Sequence, residues 1–530
     1  MARLPWLASL LAGSAHAQCT ESTFINALPQ GVSIENITDL PNGGNYSEGA
    51  ANLGYGGAIF LPPVCVVTVS VTSGPSHYRF GLFLPPPDVW NQKFLAVGNE
   101  AQGGGINWPQ MGQGPHYQMA TLSTDTGHNS IGSDFTWGVD QDRLLDWGYR
   151  ALNGSLVLGK ALTEVYYGKP ITRSYWSGCS TGGRQGLKQI QIAPDSFDGV
   201  LIGAPAWDTK HLFPWITRIV KLNLGSPNPL GPNQFSTLAY WATVQCGDAD
   251  GIIMDPFNCQ FNLSITLCDG GVAQPPYCLT ADQIEIARLI YGDYLTGSDP
   301  ERFVAHGLPP GSEGQWSTYL VPVQESADFA VGYERYWLYG NDPTYTLSRY
   351  NDSAVNDSET RNPGQATADD FDLTGYRGKV ILYHGLADGV VQPTSSGQYY
   401  NATRDAMGNI DSFFKLFYVP GLQHCWLPAP YSPGAPWQIG GAGQAVIQQQ
   451  YFNNFGQGYS VPGFEKNGAY DALVALMEWA EGTRGDVQQI VATAWNSTGQ
   501  PFRQRLVCAW PKQARFDGGD RNSASNWTCA

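Results

Sequence analysis

The sequence predicts an α/β fold in which helices cover both faces of one mostly parallel β-sheet, with a large insertion in the chain. Three observations predict this fold. Short apolar runs bounded by turn residues recur along the chain, helical stretches lie between several of them, and one run ends at a serine enclosed by glycines. Strands that alternate with helices pair in parallel and are buried on both faces, so they read as unbroken apolar runs.

Five apolar runs are predicted as buried strands, and two stretches between them as helices. The predicted strands are residues 94–97, 173–177, 199–202, 379–383 and 413–419, and the predicted helices are residues 183–192 and the segment around 144–165. Parallel neighbours need crossover connections, which these helices supply.

The alternation of strand and helix stops near residue 206 and resumes near residue 370. The residues between are rich in Pro, Gly, Asn and Trp and contain four of the ten cysteines. We therefore predict a core whose first part is residues 18–205, an inserted lid domain at 206–369, and a second part of the core at 370–530. The alternative is a separate C-terminal domain, but the strand-like run "KVILYHGLAD" after the insertion indicates a return to the first sheet.

The first seventeen residues are typical of a secretory signal peptide. Arg3 precedes the apolar run 4–12, and Ala15 and Ala17 form the small-x-small signature of signal peptidase cleavage, so the mature chain is predicted to begin at Gln18. No later stretch reaches the roughly 18 to 20 apolar residues that a spanning helix needs. An even number of cysteines and several Asn-x-Ser/Thr sequons fit the same route. We expect a secreted, extracellular glycoprotein with disulfide bonds.

The charge balance argues against two classes of partner. The chain has 29 basic and 45 acidic residues, a net charge of -16, and no basic cluster. An electrostatic grip on nucleic acid or on an anionic membrane is therefore not expected. Charged residues make up only 14% of the chain, which with abundant Gly, Pro and aromatic residues is typical of a loop-rich globular enzyme. The oligomeric state is not indicated.

A Gly-x-Ser-x-Gly pattern centred on Ser180 has the spacing of a nucleophile elbow, where a strand turns sharply into a helix. A serine hydroxyl is a weak nucleophile, so it needs a histidine to take its proton and an acid to orient that histidine. In the α/β-hydrolase fold these residues follow in the order Ser, Asp or Glu, His. Ser180, Asp388 and His424 have this order, and the last two follow predicted strands. We predict them as a catalytic triad.

Each member of this triad has an alternative interpretation. The Gly-x-Ser-x-Gly pattern occurs by chance in glycine-rich proteins, and Asp388 could merely cap a turn. His384 and His128 compete with His424 for the role of base. His384 lies inside the predicted strand, however, and His128 precedes Ser180, against the usual order.

Two cysteines flank the predicted nucleophile and base. Cys179 directly precedes Ser180, and Cys425 directly follows His424. A disulfide brings two α-carbons to roughly 5.5 to 6 Å, so joining these cysteines would hold the nucleophile and the base near each other. The alternative is an ordinary stabilising crosslink, which does not require both cysteines to lie beside the triad.

The oxyanion donors are predicted by position alone. The amide of Thr181 follows the nucleophile and opens the next helix, which makes it the expected first donor. The second is expected in the glycine-rich loop after the early strand, near Glu100 or Ala101. The alternative is a plain flexible turn.

The motifs "GCSTGGRQG", "HGLAD" and "PGLQHC", together with "FLAVGNEAQGGGI" and "STDTGH", resemble those of the tannase and feruloyl esterase family of secreted ester hydrolases. The resemblance covers nearly the whole mature chain. It implies an α/β-hydrolase fold with a large inserted lid domain that shapes the substrate pocket, and hydrolysis of phenolic acid esters without a catalytic cofactor. The expected substrates carry feruloyl groups, in some cases on plant cell-wall polysaccharide, or the galloyl groups of tannins.

The sequence leaves two further interpretations open. The sequence does not choose between a feruloyl esterase and a tannase. An alternative from another class is a hydrolase-like glycoprotein that binds phenolic or carbohydrate ligands without turnover, which the intact Ser-Asp-His set argues against.

Connectivity of ten cysteines cannot be deduced from sequence alone. Proximity along the chain and the family resemblance predict five bridges. They are Cys19 with Cys65, Cys179 with Cys425, Cys246 with Cys259, Cys268 with Cys278, and Cys508 with Cys529.

The resemblance also implies a structural calcium loop in the lid. The matching stretch is "QCGDADGIIMDP", in which Asp248, Asp250 and Asp255 would supply carboxylate ligands and Ile252 a carbonyl oxygen. The loop has one Asp-Gly pair where the family pattern has two. The alternative is a solvated acidic turn.

Overall fold

The computed structural model of the chain describes residues 19–297, 301–321, 326–447 and 467–530. The signal peptide predicted at residues 1–17 and the predicted new N-terminus at Gln18 lie outside the described residues. Within the described part of the chain, no helix has the length and apolar character needed to cross a bilayer.

The strands and helices are labelled in chain order. The strands are β1 (Val32–Leu40), β2 (Gly44–Tyr46), β3 (Ala58–Leu61), β4 (Val64–Ser73), β5 (Ser76–Leu84), β6 (Lys93–Val97), β7 (Ala120–Thr124), β8 (Arg173–Cys179), β9 (Gly199–Gly203), β10 (Tyr294–Thr296), β11 (Arg302–Ala305), β12 (Lys379–Gly385), β13 (Phe414–Val419), β14 (Gln489–Trp495), β15 (Pro501–Cys508), β16 (Ala514–Phe516) and β17 (Trp527–Cys529). The α-helices are α1 (Trp108–Met111), α2 (Gln113–His116), α3 (Gln141–Leu145), α4 (Ala151–Tyr167), α5 (Thr181–Ile192), α6 (Thr209–Leu224), α7 (Pro232–Cys246), α8 (Ala281–Tyr291), α9 (Ser317–Leu320), α10 (Ser326–Gly332), α11 (Ser353–Arg361), α12 (Pro393–Met407) and α13 (Ala472–Ala480).

Nine strands form the central sheet, in the spatial order β1-β4-β5-β7-β6-β8-β9-β12-β13. The pairs from β7 to β13 are parallel, whereas β1, β4, β5 and β7 pair antiparallel. The five predicted strands and the two predicted helical stretches are confirmed as β6, β8, β9, β12 and β13, as α5, and as the helical region around α4. The antiparallel strands were not predicted.

Both faces of the sheet are covered by helices. Successive residues of a strand point to opposite faces, so they pack into two different hydrophobic clusters. On β12, Val380 and Leu382 belong to the hydrophobic cluster that includes side chains of α4, α5 and α12, whereas Ile381 and Tyr383 belong to the cluster that includes side chains of α13. All four side chains have no exposed surface. Burial of an apolar side chain of this size stabilises the fold by roughly 1.5–3 kcal/mol.

The insertion leaves the sheet after β9 and returns to it at β12. The two strands are parallel neighbours, with Lys379 opposite Gly199. The residues between them, 206–369, are called the lid segment below, and their apolar side chains form a third hydrophobic cluster. Phe135 and Trp147, which precede β8, also belong to this cluster. The return to β9 favours an insertion over a separate C-terminal domain, and the predicted domain boundaries themselves stay a prediction.

All five predicted disulfides are present. Cys179–Cys425 joins the end of β8 to the loop after β13, with α-carbons 6.0 Å apart. The other four connect segments closer together in the chain. Ten cysteines are therefore fully paired.

Candidate active site

Ser180 lies at the sharp turn between β8 and α5. Its φ of 60° and ψ of -122° place it in a backbone region that costs a residue with a side chain about 1–3 kcal/mol. The strain is held by backbone hydrogen bonds: the Ser180 amide donates to Gly203 O at 2.9 Å, and the Ser180 carbonyl accepts from the amides of Arg184 and Ala206, each at 3.0 Å. This is the conformation expected of a nucleophile elbow.

Asp388 and His424 emerge from the carboxyl ends of the neighbouring parallel strands β12 and β13. The Nδ1–H group of His424 donates to Asp388 Oδ2 at 2.6 Å. The other carboxylate oxygen accepts from the amides of Val390 and Val391 at 2.8 and 2.9 Å. Asp388 therefore fixes the imidazole so that Nε2 is the nitrogen left for the nucleophile.

The environment of Asp388 favours its ionised form. Burial alone would raise the pKa of this carboxyl, which has no exposed surface. The positive charge of His424 and hydrogen bonds from His384 and His424 outweigh burial and hold the pKa of Asp388 well below its usual value. The ionised form of the acid of the predicted triad is therefore the stabilised one.

The disulfide brings the serine and the histidine loops together. Cys179 and Cys425 are both buried, and each is adjacent in sequence to one of the two residues. No hydrogen bond joins Ser180 to His424 among the described residues. Such bonds are often long in an enzyme without substrate and tighten in the complex. The bridge thus supplies proximity, while Asp388 supplies the orientation of the imidazole.

The loop after β6 is packed against the elbow and brings the expected oxyanion donors to it. A Cβ on Gly98 would lie 2.4 Å from Gly182 Cα, so only glycine permits this approach. The Thr181 hydroxyl donates to Ala101 O at 2.7 Å and ties the two loops together. Within the described part of the chain, the amides of Thr181 and Ala101 have no hydrogen-bond partner.

The prediction that the Glu100 amide could be the second oxyanion donor does not agree with this geometry. The amide of Glu100 donates to the Tyr55 hydroxyl at 2.6 Å, so it is not free to bind an oxyanion. Its carboxyl faces the site instead and accepts from Gln110 Nε2 at 2.6 Å. Burial raises the pKa of Glu100, against the opposing effects of Gln110 and of the His424 charge. Ala101 is left as the expected second donor.

The two alternative bases have other places in the structure. His128 is stacked on Trp137 with ring centroids 3.8 Å apart, and burial lowers the pKa of His128 to about 4. His384 has no exposed surface, and its Nε2–H donates at 2.9 Å to Asp388 Oδ2, the oxygen that also accepts from His424. Its Nδ1 lies 2.7 Å from Ser396 Oγ. His384 is therefore a partner of the acid, which its position four residues before Asp388 could have indicated.

The acidic loop predicted to bind calcium is engaged by arginines. Asp248 Oδ2 accepts from Arg505 Nη1 at 3.2 Å and from Arg521 Nη2 at 2.8 Å. Asp250 Oδ2 accepts from Arg521 Nε at 2.8 Å and from Arg505, and Arg503 Nη2 lies 3.4 Å from its Oδ1. Two carboxylates thus face three guanidinium groups from the C-terminal part of the chain.

The remaining predicted ligands are also engaged. The Ile252 carbonyl accepts from the Asp248 amide at 2.9 Å. The Asp255 side chain accepts from the amide and side chain of Asn258 at 3.3 and 2.7 Å. No group of three or more acidic, His or Cys side chains is arranged for a metal in residues that the structure describes. Calcium does not fit this donor set, because the positive charge it would supply is already provided by arginine.

Comparison with known proteins places the chain in a family. Residues 65–327 and 344–530 match the family model described as tannase and feruloyl esterase. The chain is 30% identical over 526 residues to a probable feruloyl esterase B-1 of Neosartorya fischeri, an alignment that covers 94% of this chain and 93% of the relative. A probable feruloyl esterase B-1 of Aspergillus fumigatus is also 30% identical, over 536 residues, with coverage of 94% and 93%.

Two solved structures are similar over nearly the whole chain. The crystal structure of feruloyl esterase B from Aspergillus oryzae has a TM-score of 0.83 at 27% identity and covers 97% of this chain and 99% of its own. The tannin acyl hydrolase from Aspergillus niger has a TM-score of 0.73 at 20% identity, with coverage of 97% and 95%, and supports the fold alone. The predicted α/β-hydrolase fold is confirmed. The chain belongs to the tannase and feruloyl esterase family.

Proposed function

We propose that this ester hydrolase cleaves phenolic acid esters with Ser180 as nucleophile, His424 as general base and Asp388 as the acid that orients it. The observation that carries the proposal is the 2.6 Å hydrogen bond from His424 Nδ1 to an ionised Asp388, on a loop that a disulfide joins to the serine elbow. A binding protein without turnover has no need of this arrangement.

The reaction follows from the positions of these groups. Ser180 Oγ attacks the ester carbonyl carbon while its proton moves to His424 Nε2, and Asp388 stabilises the imidazolium that forms. The amides of Thr181 and Ala101 donate to the developing oxyanion, and the loss of one such donor typically costs about 10²–10³-fold in kcat. His424 then protonates the departing alcohol. A water molecule, deprotonated by the same histidine, releases the acid from Ser180.

For the acyl group we propose a hydroxycinnamoyl ester of the feruloyl type. The relatives at 30% identity are named probable feruloyl esterases B-1, whereas the tannin acyl hydrolase is 20% identical. Such esters occur on plant cell-wall polysaccharide, which we propose as the natural context. The five disulfides support secretion, and sequon residues such as Asn36, Asn351 and Asn401 are exposed and available for glycosylation.

The acyl preference is tested by comparing kcat/KM on methyl ferulate, methyl caffeate and methyl gallate. A site that hydrogen-bonds a ring hydroxyl rejects an analogue without it by up to ~10⁴-fold, so the three rates separate the acyl classes. We expect the two cinnamates to exceed the gallate. A gallate rate above both cinnamates would instead identify a galloyl ester hydrolase. Ser180→Ala provides the background rate.

A further inference from the structure

One side chain of the lid segment contacts both loops that carry the catalytic acid and base. Gln315 Oε1 accepts from the amide of Gly389, the residue after Asp388, at 3.1 Å. The same oxygen accepts from the amide of His424 itself at 3.0 Å. A single acceptor therefore joins the ends of β12 and β13 at the residues where the proposed chemistry takes place.

The identity of the contacting atom is set by its partners. Both partners are backbone N–H groups, which only donate, so only the side-chain carbonyl oxygen of Gln315 can face them. The two amides are half-buried, and an amide that loses its acceptor in such a place is removed from water without a replacement hydrogen bond. The loops are therefore held at the spacing that one oxygen atom allows.

Gln315 is itself held by a rigid part of the lid segment. It ends a short 3₁₀ turn, Glu313–Gln315. The buried Glu313 carboxylate accepts from the Tyr291 hydroxyl at 2.5 Å and from the Gly311 amide at 3.0 Å. Trp316, which is 1% exposed, donates its indole N–H to Ser312 Oγ at 3.0 Å. These hydrogen bonds and the burial of Trp316 attach the turn to the lid core.

The lid segment also approaches the acid loop directly. A Cβ on Gly389 would lie 2.4 Å from Ser312 O and 3.0 Å from Gln315 Cβ, so a glycine is required for the contact. The acid loop thus has no side chain at Gly389, where the backbone of the lid segment packs closely on it. The hydrogen bond that Gln315 accepts from the Gly389 amide and this close approach act on the same residue.

We propose that Gln315 is a positioning residue through which the lid segment sets the relative placement of Asp388 and His424. The inference rests on the proposed function. Three constraints then meet at His424: the carboxylate of Asp388 orients its ring, the disulfide at Cys425 limits the loop on one side, and Gln315 fixes its amide. Displacing a catalytic group by ~1 Å can cost on the order of 10²-fold in rate.

The test compares variants of two glutamines in the full-length enzyme. Gln315→Met keeps the length of the side chain but removes the acceptor, whereas Gln315→Glu keeps an acceptor oxygen. The matched control is Gln245→Met. Gln245 belongs to the same lid segment, is exposed, and its Oε1 likewise accepts a backbone amide, that of Asn262, at 3.0 Å. Hydrolysis of methyl ferulate and the rate of fluorophosphonate labelling of Ser180 are measured where circular dichroism shows each variant folded.

We expect Gln315→Met to lower kcat by about 10- to 100-fold with little change in KM, Gln315→Glu to recover most of the loss, and Gln245→Met to retain wild-type kcat. Gln315→Asn, whose oxygen is drawn back by one methylene, serves as a second variant and should show the same direction. Wild-type kcat in folded Gln315→Met or Gln315→Asn, or an equal loss in Gln245→Met, overturns the proposal. A wild-type enzyme that neither hydrolyses the ester nor is labelled overturns the proposed function as well.

Discussion

At the scale of single residues, the site converges on Asp388. One of its oxygens accepts from His424 at 2.6 Å and from His384 at 2.9 Å, and the other accepts from two backbone amides. Four donors stabilise the ionised form of this buried carboxylate. His384 thus limits the positions that the carboxylate can adopt beside His424, the proposed base.

The role of His384 is tested by changing its donor. His384→Leu removes a hydrogen bond to a charged group, which contributes about 1.5–3 kcal/mol, so kcat should fall by at least about tenfold with KM nearly constant. His384→Gln retains a side-chain N–H and should recover part of the rate. Steady-state kinetics on a methyl cinnamate measure both. Equal kcat for folded His384→Leu and wild type would leave Asp388 positioned without His384.

At the scale of secondary-structure elements, the proposed nucleophile and the proposed base lie on separate elements that a disulfide joins. Ser180 lies between β8 and α5. His424 lies after β13, which is three strands away from β8 in the sheet order β8-β9-β12-β13. The sheet alone sets the spacing of the strand ends, and the loops beyond them are free to vary. The Cys179–Cys425 bridge removes that freedom at the loops themselves.

Replacing both Cys179 and Cys425 with alanine should therefore lower kcat more than it weakens substrate binding. The loss falls on the placement of His424 against Ser180, where ~1 Å costs on the order of 10²-fold. Stability should fall as well, by up to ~5 kcal/mol in the chain-entropy model of a loop this long. Both parameters are measured at a temperature where the double mutant is fully folded. Unchanged kcat there would reduce the bridge to a crosslink.

The acidic loop gives a prediction about metal removal. Because Arg505 and Arg521 neutralise Asp248 and Asp250, EDTA should leave the melting temperature unchanged, and added calcium should not raise it. Arg505 is 4% exposed, and Arg505→Met strands carboxylates that were paired with it, at a cost of about 3 kcal/mol. Thermal unfolding measures both effects. If EDTA lowered the melting temperature and added calcium raised it again, the acidic loop would be a calcium site after all.

Within the lid segment, stability should depend on pH through His211. Burial opposes charge on this residue, but hydrogen bonds and negative charges from Asp208 and Glu359 raise the pKa of His211 above its usual 6.5. Arg302 binds the second oxygen of Glu359 at 3.0 Å. A raised folded-state pKa means that the stabilisation is complete below pH 6.5 and is lost as the pH rises through the folded-state value.

The corresponding experiment is urea unfolding of wild type and His211→Gln between pH 6 and 9. Wild type should be the more stable of the two at pH 6, and its advantage should shrink as the pH rises. If the difference in free energy of unfolding between the two proteins stayed constant across this range, the charge on His211 would not stabilise its contacts with Asp208 and Glu359.

At the scale of the whole molecule, the sequence predicts those features that depend on a local pattern of residues, namely the parallel strands and the order of the proposed triad. The parallel strands are buried on both faces and read as apolar runs, and the triad follows them in the order that the fold requires. The antiparallel strands β1, β4 and β5, which the structure contains, were not predicted from the sequence. Parts of these strands mix polar and apolar residues, as in the run "SIENITDL" of β1, which has no clear strand period.

The contacts that sequence reasoning missed join residues far apart in the chain. Gln315 binds the amide of His424, and Arg505 binds Asp248, without any local signal at either end. An Asp-Gly loop has the same sequence whether its carboxylates bind a metal ion or pair with arginine side chains. Only the packing of the C-terminal strands against the lid segment distinguishes the two outcomes, and that packing is a property of the assembled fold.

The proposed mechanism depends most on Ser180 being a nucleophile activated by His424. The direct measurement is fluorophosphonate labelling of the intact enzyme, followed by mass spectrometry of its peptides, in wild type, Ser180→Ala and His424→Ala. We predict one adduct, on Ser180, formed rapidly in wild type, slowed by several orders of magnitude in His424→Ala and absent from Ser180→Ala. An adduct on another residue, or hydrolysis of methyl ferulate by Ser180→Ala at the wild-type rate, would contradict the account.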